Sequence, residues 1–262
     1  MTTRALLLAA GRGSRLAPYT DDRPKCLVPL LGQPLLEHQI AALKAGGITD
    51  IAIVGGYRAE CLRPYTDTLY VNNDWNNSNM VVSLTTAAEW MQAGPTLVCY
   101  TDIVYAAEAV RDLAASPADL AITFDPDWQH LWGARFENPL DDAETFLRTP
   151  QGDLAEIGQR AQTYERIHGQ YMGLLKFTPA GWSTVGNYLA GLPREQVAKL
   201  DMTGLLARLL ASGTRIATVP APWPWAEADQ PSDLALYEND GRFAALRAML
   251  AAQQTPPQAR QE

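Results

Sequence analysis

Cysteine is scarce in this chain, and its spacing excludes two common uses of the residue. Only Cys26, Cys61 and Cys99 occur among 262 residues. An odd and widely separated set builds neither a zinc site nor a disulfide framework. We therefore expect reduced, largely buried thiols, as in a cytosolic protein.

Long apolar runs and clustered basic residues are also missing. No apolar stretch approaches the roughly 20 residues that a membrane helix needs, and the first residues lack the pattern of a secretory leader. The formal net charge of -8 argues against a nucleic-acid surface, although it permits a local basic pocket for a small anion. The sequence thus predicts a cytoplasmic protein without a membrane or nucleic-acid partner.

A regular alternation of apolar runs and helical patterns fills most of the chain. Hydrophobic residues make up 47% of the sequence, which is enough for a full core. The alternation predicts βαβ units and therefore an α/β fold with a doubly wound, mostly parallel, Rossmann-like sheet. The predicted strands are 5–8, 51–54, 69–71, 96–100, 120–124, 171–177 and 215–220. The predicted helices are 34–45, 79–91, 107–115, 179–189, 202–210 and 234–252.

The pattern changes after Asp125. Strand-like pieces at 132–136, 144–147 and 154–157 are separated by Pro, Asp and Gly, which predicts a small antiparallel lid inserted over the open edge of the sheet. We expect a single domain over residues 1–252, with this variable region at 125–170. The polar, Pro-containing tail at 253–262 is expected to be disordered.

A glycine-rich loop follows the first strand. Residues 7–16 are Leu-Leu-Ala-Ala-Gly-Arg-Gly-Ser-Arg-Leu, and their small side chains let the backbone approach a ligand closely. Free N–H groups in such a loop form an anion-binding concavity. Arg15 adds a bidentate phosphate donor, and Lys25, stiffened by Pro24, adds a compact positive charge. Together these residues predict a phosphate site.

Two widespread phosphate-binding loops do not match this segment. No Gly-Lys-Ser/Thr ends the loop, so it is not a Walker A sequence. Leu16 stands where a dinucleotide-binding fingerprint has its third glycine. With the Pro24-Lys25 element, this substitution argues against a Rossmann dehydrogenase.

The loop and the following Pro-Lys resemble the signature of the NDP-sugar pyrophosphorylase-like nucleotidyltransferases, Leu-Ala-Ala-Gly-x-Gly-x-Arg-Leu and then Pro-Lys. The resemblance implies that the loop wraps a nucleoside triphosphate, with nucleotide contacts from Leu8, Ala9, Ala10, Gly11 and Gly13. It also implies that Arg15 and Lys25 hold the phosphates and act in catalysis.

Two aspartates are candidates for a metal site. Transfer of a phosphoryl-type group depends on positioning and on charge neutralisation, much of which Mg²⁺ supplies through carboxylate and phosphate oxygens. Asp102 follows the strand at 96–100, at the end where open α/β sheets bind ligands. In the family that the loop resembles, an aspartate after the central strand and a second aspartate in a late acidic motif hold the metal together. The resemblance assigns these positions to Asp102 and Asp229, and Glu227 is an alternative to Asp229. Asp233 is expected to cap the last helix.

Segments between residues 6 and 237 resemble one branch in particular, the phosphocholine and 2-aminoethylphosphonate cytidylyltransferases. They are Gly55-Gly56-Tyr57, Asn76 to Met80 with Ser83-Leu84, His168 to Leu174, Leu200 to Thr203, and Trp225 to Asp229. The resemblance implies CTP as the nucleotide substrate. It places Gly56, Tyr57, Asn79 and Ser83 around cytosine and ribose, although a simple helix cap is the alternative for Asn79.

The acceptor is predicted to be a small phosphate or phosphonate. Aromatic faces and carboxylates near the late acidic motif can hold an ammonium group, and Arg135 or Arg148 can hold the acceptor phosphate. The candidate acceptor-binding residues are Trp132, Arg135, Tyr171, Asp201, Trp225 and Glu227. Gln159 stands where close relatives usually carry a lysine for that phosphate. The acceptor therefore stays open, with Arg160 as a substitute for the lysine.

These features predict an enzyme that transfers CMP from CTP to the acceptor by in-line, Mg²⁺-assisted attack and releases pyrophosphate. A sugar-1-phosphate nucleotidyltransferase using UTP or dTTP is the nearest alternative, and a non-catalytic nucleotide-binding regulatory module is another. The joint presence of Lys25, Asp102 and Asp229 favours an enzyme, because binding alone does not need that set. The sequence leaves both a monomer and a homodimer open.

Overall fold

A computed structural model describes residues 2–221 and 223–254. Its strands are β1 (Arg4–Ala9), β2 (Pro29–Leu30), β3 (Gln33–Pro34), β4 (Ile51–Gly55), β5 (Thr68–Val71), β6 (Thr96–Tyr100), β7 (Ile103–Tyr105), β8 (Leu120–Asp125), β9 (Glu144–Arg148), β10 (Leu154–Arg160), β11 (Gln170–Phe177), β12 (Ala217–Pro220) and β13 (Trp225–Glu227). Its α-helices are α1 (Leu35–Ala45), α2 (Met80–Thr86), α3 (Ala88–Ala93), α4 (Ala107–Ala115), α5 (Gln129–Arg135), α6 (Pro179–Ala190), α7 (Arg194–Lys199), α8 (Met202–Ala211), α9 (Pro231–Asn239) and α10 (Ala244–Gln254).

Seven strands form the central sheet in the order β12-β8-β11-β6-β1-β4-β5. β1 pairs in parallel with β4 and β6, β4 with β5, and β12 with β8. β11 runs antiparallel between β6 and β8, so its first residues lie beside the carboxyl ends of its neighbours. The predicted α/β fold with a mostly parallel sheet is confirmed.

The continuous apolar run of β1 reflects burial on both faces of the sheet. Side chains two residues apart point to the same face of a strand. Leu7 packs in one core cluster with residues of α1, α4 and α10, whereas Leu6 and Leu8 pack in a second with residues of α2, α6 and α8. Helices therefore cover both faces, as a parallel sheet requires.

The inserted region differs from its prediction in one element. A helix, α5, occupies residues for which a strand at 132–136 is predicted. Trp128, Leu131 and Trp132 are buried at helical spacing, so one face of this segment packs on the core. β9 and β10 form the predicted antiparallel pair. The pair is anchored at the β12 edge, where the Leu154 N–H donates to the carbonyl of Ile216 at 2.8 Å.

Several boundaries near helix ends are also corrected. The helix predicted at 79–91 divides into α2 and α3, and Asn79 caps α2, because its Oδ1 accepts the N–H of Met80 at 2.8 Å. Asp233 caps α9 as expected, but from the third position of the helix, through a capping box with Gln230. Helix α7 is an addition to the predicted elements. α10 extends to Gln254, and residues 255–262 of the predicted tail lie outside the described residues.

Two expectations from composition can be compared with the described part of the chain. Cys26 and Cys99 are buried free thiols, and Cys61 is half-buried. Among the described helices, none combines the length and the apolarity needed to traverse a bilayer.

Candidate active site

The glycine-rich loop leaves the carboxyl end of β1 and is held on both sides. Gly13 has a φ of +71°, and a Cβ at this position would lie 2.6 Å from Cβ of Lys25. Thr20 Oγ1 donates to the carbonyl of Gly13 at 3.1 Å, and the N–H of Tyr57 donates to the carbonyl of Ala10 at 3.0 Å. The loop can therefore press against the stem of Lys25 only because residue 13 is glycine.

Asp102, Glu227 and Asp229 meet at the end of the sheet, next to this loop. Carboxylate oxygens of these residues lie within 4.8 Å of one another. The antiparallel pairing of β7 with β13 places Glu227 opposite Ile103. In addition, the N–H of Ala228 donates to the carbonyl of Asp102 at 2.8 Å. Local strand pairing thus joins two acidic segments that are far apart in the sequence.

Lys25 lies between two of these carboxylates. Its Nζ donates to Asp102 Oδ2 at 2.7 Å and also to Asp229 Oδ1, and its side chain is 14% exposed. Arg15 contacts Asp229 Oδ2 at 2.8 Å but is 73% exposed. Burial alone would lower the pKa of Lys25, but the charges of Asp102, Asp229 and Glu227 outweigh it and raise the pKa above its usual value. Lys25 is therefore a permanent ammonium.

The pKa values of Glu227 and Asp229 are shifted in opposite directions. Burial raises the pKa of Glu227, against the effect of Arg135, and the charges of Asp102 and Asp229 add to the increase. Burial acts in the same direction on Asp229, but Lys25 and Arg15 outweigh it, so the pKa of Asp229 is lowered. In this structure Lys25, Arg15 and Arg135 are thus the cations paired with the cluster.

The acidic cluster has the chemistry of a divalent-cation site. Within the described part of the chain, the buried Oδ1 of Asp102 has no hydrogen-bond partner. Mg²⁺ and similar hard cations take oxygen ligands, commonly one or two carboxylates completed by substrate phosphates. The two predicted ligands, Asp102 and Asp229, therefore lie together, and Glu227 joins them as a third carboxylate.

A cavity of about 130 Å³ separates the loop from the start of α2. It is lined by Leu8, Ala10, Gly11, Trp75, Ser78, Asn79, Met80 and Ser83, which include five of the predicted nucleotide-binding residues. The buried Asn72 orients two of the hydroxyls, because its Nδ2 donates to Ser78 Oγ at 3.1 Å and to Ser83 Oγ at 3.0 Å.

Three other residues predicted to bind the nucleotide, Ala9, Gly56 and Tyr57, do not line this cavity. A Cβ on Gly56 would lie 2.6 Å from the carbonyl oxygen of Ala10, so the absence of a side chain allows the two loops to touch. Tyr57 packs edge-on against Trp75, with ring centroids 5.3 Å apart. Ala9 is buried in the core. The sequence analysis missed Asn72 and Trp75, since neither lies in a motif that marks it.

A second cavity, of about 360 Å³, opens on the other side of the acidic cluster. Its lining includes the predicted residues Arg15, Trp132, Tyr171, Asp201, Glu227 and Asp229. It also includes Met80, Tyr100, Asp142, Glu144, Phe146 and Gln170, which the sequence analysis missed. Met80 lines both cavities, and Glu227 and Asp229 of the acidic cluster line the larger one.

Carboxylates dominate the polar lining of this second cavity. Asp142 accepts from Trp132 Nε1 at 3.1 Å, and Asp201 Oδ1 accepts from the N–H of Gly204 at 2.7 Å. In the described chain the carboxylate of Glu144 has no protein donor. Burial raises the pKa of Glu144, and the charges of Asp201 and Asp142 raise it further. A positively charged ligand would relieve this repulsion.

Two residues predicted to bind the acceptor lie elsewhere. Trp225 is 1% exposed, and its Nε1 donates to Asp125 Oδ2 at 2.7 Å. The side chain of Arg135 is also 1% exposed and is paired with Asp233 and Glu227. Because both are buried and already bonded to protein groups, neither can contact an acceptor in this structure.

The arginine and glutamine alternatives for the acceptor phosphate also lie away from the cavity. Arg148 donates through Nε to Thr218 Oγ1 at 2.8 Å, at the β12 edge. Gln159 and Arg160 are exposed at the end of β10. Among the described residues that line this cavity, Arg15 is the one arginine or lysine.

Comparison with known proteins shows the family to which the chain belongs. Residues 5–156 match the family model described as the MobA-like NTP transferase domain. Over 246 residues, the chain is 35% identical to a CTP:phosphoglutamine cytidylyltransferase of Campylobacter jejuni, covering 88% of this chain and 97% of that protein.

Solved structures share the fold at lower identity. An inositol-1-phosphate CTP transferase from T. maritima superposes with a TM-score of 0.75 and 17% identity, over 95% of both chains. A CTP:phosphocholine cytidylyltransferase from Streptococcus pneumoniae gives a TM-score of 0.68 and 19% identity, over 91% of this chain and 98% of that one. The family model matches more than half of the chain, and the Campylobacter jejuni relative is similar over nearly its full length. The chain therefore belongs to the MobA-like NTP transferase family of nucleotidyltransferases.

Proposed function

We propose that this protein is a Mg²⁺-dependent cytidylyltransferase. It transfers CMP from CTP to a small phosphate or phosphonate acceptor that bears an ammonium group, and it releases pyrophosphate. The observation that carries the proposal is the position of Lys25, held between Asp102 and Asp229, of which Asp229 lines the larger cavity. The names of relatives, which specify CTP with phosphoglutamine or with 2-aminoethylphosphonate, support it.

The cavity beside α2 is assigned to the nucleoside. It lies against the glycine-rich loop, so a nucleoside there would direct its phosphates along the free N–H groups toward Arg15 and Lys25. The hydroxyls of Ser78 and Ser83 are polar groups that a base or a ribose could contact, and Asn79, whose side chain also caps α2, lines the same cavity. The nucleoside and its triphosphate would thus lie on one continuous surface.

The reaction needs little from the protein beyond positioning and charge. An oxygen of the acceptor phosphate is already ionised, so it can attack the α-phosphorus of CTP without a general base. The bond between the α-phosphorus and the bridging oxygen to the β-phosphate breaks, and that oxygen leaves with pyrophosphate. Lys25 and Arg15 stabilise the charge that develops on the α-phosphoryl and the leaving group. Mg²⁺, held by Asp102 and Asp229 with Glu227, would neutralise phosphate charge.

The cavity that contains Glu144 is assigned to the acceptor's ammonium end. Glu144, Asp142 and Asp201 offer negative charge, and Tyr100, Trp132 and Tyr171 offer aromatic faces. An ammonium group is attracted both to carboxylates and to the faces of aromatic rings. A neutral sugar would leave the carboxylate of Glu144 uncompensated, which disfavours a hexose 1-phosphate.

The test is a matrix of pyrophosphate-release assays with Mg²⁺. CTP, UTP, dTTP, ATP and GTP are each combined with phosphocholine, phosphoethanolamine, 2-aminoethylphosphonate, phosphoglutamine and glucose 1-phosphate. We expect turnover with CTP and an amino-bearing acceptor. Turnover restricted to UTP or dTTP with the sugar phosphate would overturn the assignment of both cavities.

A Glu144→Gln variant tests the acceptor cavity separately. Loss of a charged partner should raise the KM for the amino-bearing acceptor about tenfold, with the KM for CTP unchanged. Glu60→Gln, at an exposed position in the short helix that follows β4 and outside the lining of both cavities, is the matched control. The cytoplasmic location, the single domain over residues 1–252 and the choice between monomer and homodimer stay predictions.

A further inference from the structure

Arg135 is a buried arginine at the end of α5 that lines neither of the two cavities described above. Its side chain is 1% exposed. Nε and Nη2 donate to the two carboxylate oxygens of Asp233, each at 3.1 Å. Nη1 donates to Glu227 Oε2 at 3.4 Å. Every nitrogen of the guanidinium is therefore used within the protein, in the planar fork geometry that lysine cannot reproduce.

Asp233 also contacts Asp229, a second residue of the acidic cluster. Its side chain is 2% exposed. Besides Arg135, its Oδ2 accepts the N–H of Asp229 at 2.8 Å and that of Gln230 at 3.1 Å. One ion pair thus contacts the side chain of Glu227 and the backbone of Asp229 at the same time.

The arrangement suits positioning better than stabilisation. A buried ion pair adds little net stability, because desolvation offsets most of the attraction. Its value here lies in geometry, since Glu227 and Asp229 sit on a short strand and the loop that follows it. Partners that orient metal-binding carboxylates are a general requirement of such sites.

We propose that Arg135 and Asp233 are positioning residues that fix Glu227 and Asp229 for binding of the divalent cation. The inference rests on the proposed metal-dependent function. It also connects the two halves of the site, because Trp132, one helical turn before Arg135 on α5, lines the acceptor cavity. A single helix thus contributes both to the acceptor cavity and to the cation site.

The experiment measures cation affinity directly. Mn²⁺ binding to the protein with CTP is followed by electron paramagnetic resonance of the free ion, for the wild type, Arg135→Lys and Asp233→Asn. Arg135→Lys keeps the charge but loses the fork, and Asp233→Asn keeps one acceptor oxygen but loses the charge. We expect the Kd for Mn²⁺ to rise at least about tenfold in each variant, with the KM for the acceptor unchanged.

Arg4→Lys is the matched control, because Arg4 forms an ion pair with Asp50 at the opposite end of β1. Its Mn²⁺ affinity should equal that of the wild type. Unchanged Mn²⁺ affinity in a folded Arg135→Lys protein, or a raised acceptor KM instead, would overturn the inference. If Arg135→Lys does not fold, wild-type affinity in Asp233→Asn has the same meaning.

Failure of the proposed function would look different. In that case the wild type itself would show neither CTP-dependent Mn²⁺ binding nor pyrophosphate release with any acceptor.

Discussion

Lys25 supplies a permanent positive charge to the site, because two carboxylates surround its ammonium group and raise its pKa. Removing this charge should weaken stabilisation of the transition state more than binding of the ground state. We predict that Lys25→Ala lowers kcat for pyrophosphate release on the order of 10²–10³-fold. Lys44→Ala, at the exposed end of α1, serves as the control. A Lys25→Ala enzyme with wild-type turnover would remove Lys25 from the mechanism.

The two glycines of the phosphate loop have separable roles. Gly13 has a left-handed φ and no room for a Cβ beside Lys25, whereas a Cβ on Gly11 would meet nothing within 4 Å. Gly13→Ala should therefore lower the free energy of unfolding by at least about 1–2 kcal/mol. Gly11→Ala should change it by less than about 1 kcal/mol. However, its methyl group would enter the space assigned to the triphosphate and raise the KM for CTP.

Urea unfolding and steady-state kinetics on both glycine variants separate these effects. Equal losses of stability in the two variants would show that strain at Gly13 is not the reason for glycine there.

At the scale of elements, helix α8 begins at the acceptor cavity. Asp201 caps this helix through the N–H of Gly204 and also lines the cavity. Asparagine caps a helix about as well as aspartate, whereas alanine loses about 1 kcal/mol. We predict that Asp201→Asn keeps stability but raises the KM for an amino-bearing acceptor. Asp201→Ala should lower the stability and also raise the KM for the acceptor.

Thr178 offers a comparison for this prediction, because it caps α6 without lining the cavity. Thermal unfolding and acceptor kinetics should show Thr178→Ala destabilised by about 1 kcal/mol with an unchanged KM. An unaltered acceptor KM in Asp201→Asn would mean that Asp201 acts only as a cap.

Elements with one strong periodic pattern were predictable, and those with competing patterns were not. The run Ala5 to Leu8 and the helix before Gly46 match the structure closely. In α5, aromatic residues favour a strand by propensity, but burial of Trp128, Leu131 and Trp132 on one face decides for a helix. Tertiary packing therefore overrode local preference in the variable region.

At the scale of the whole molecule, the site joins segments from the first strand to the last helices. Ligands that bridge these segments bind the folded state and should stabilise it as a unit. CTP with Mg²⁺ at about 100 times its Kd should add about 2.7 kcal/mol, which corresponds to a rise in Tm of about 5–10 °C. Thermal unfolding checks this prediction. EDTA should abolish most of the shift, and an equal shift without the cation would argue against a shared metal site.

The sequence by itself predicted the α/β fold, the glycine-rich loop with Arg15 and Lys25, and the acidic pair Asp102 and Asp229. The fold and the loop depend on residues close together in the chain, so local pattern predicts them, whereas the pairing of the two aspartates was implied by resemblance to a family. Only the tertiary structure decided that Arg135 is buried against Asp233 rather than free for an acceptor. It also revealed Glu144 as a carboxylate of the second cavity that has no donor among the described residues. These roles depend on strand pairing and helix packing between remote segments, which determine whether a charged side chain meets a partner or an open cavity.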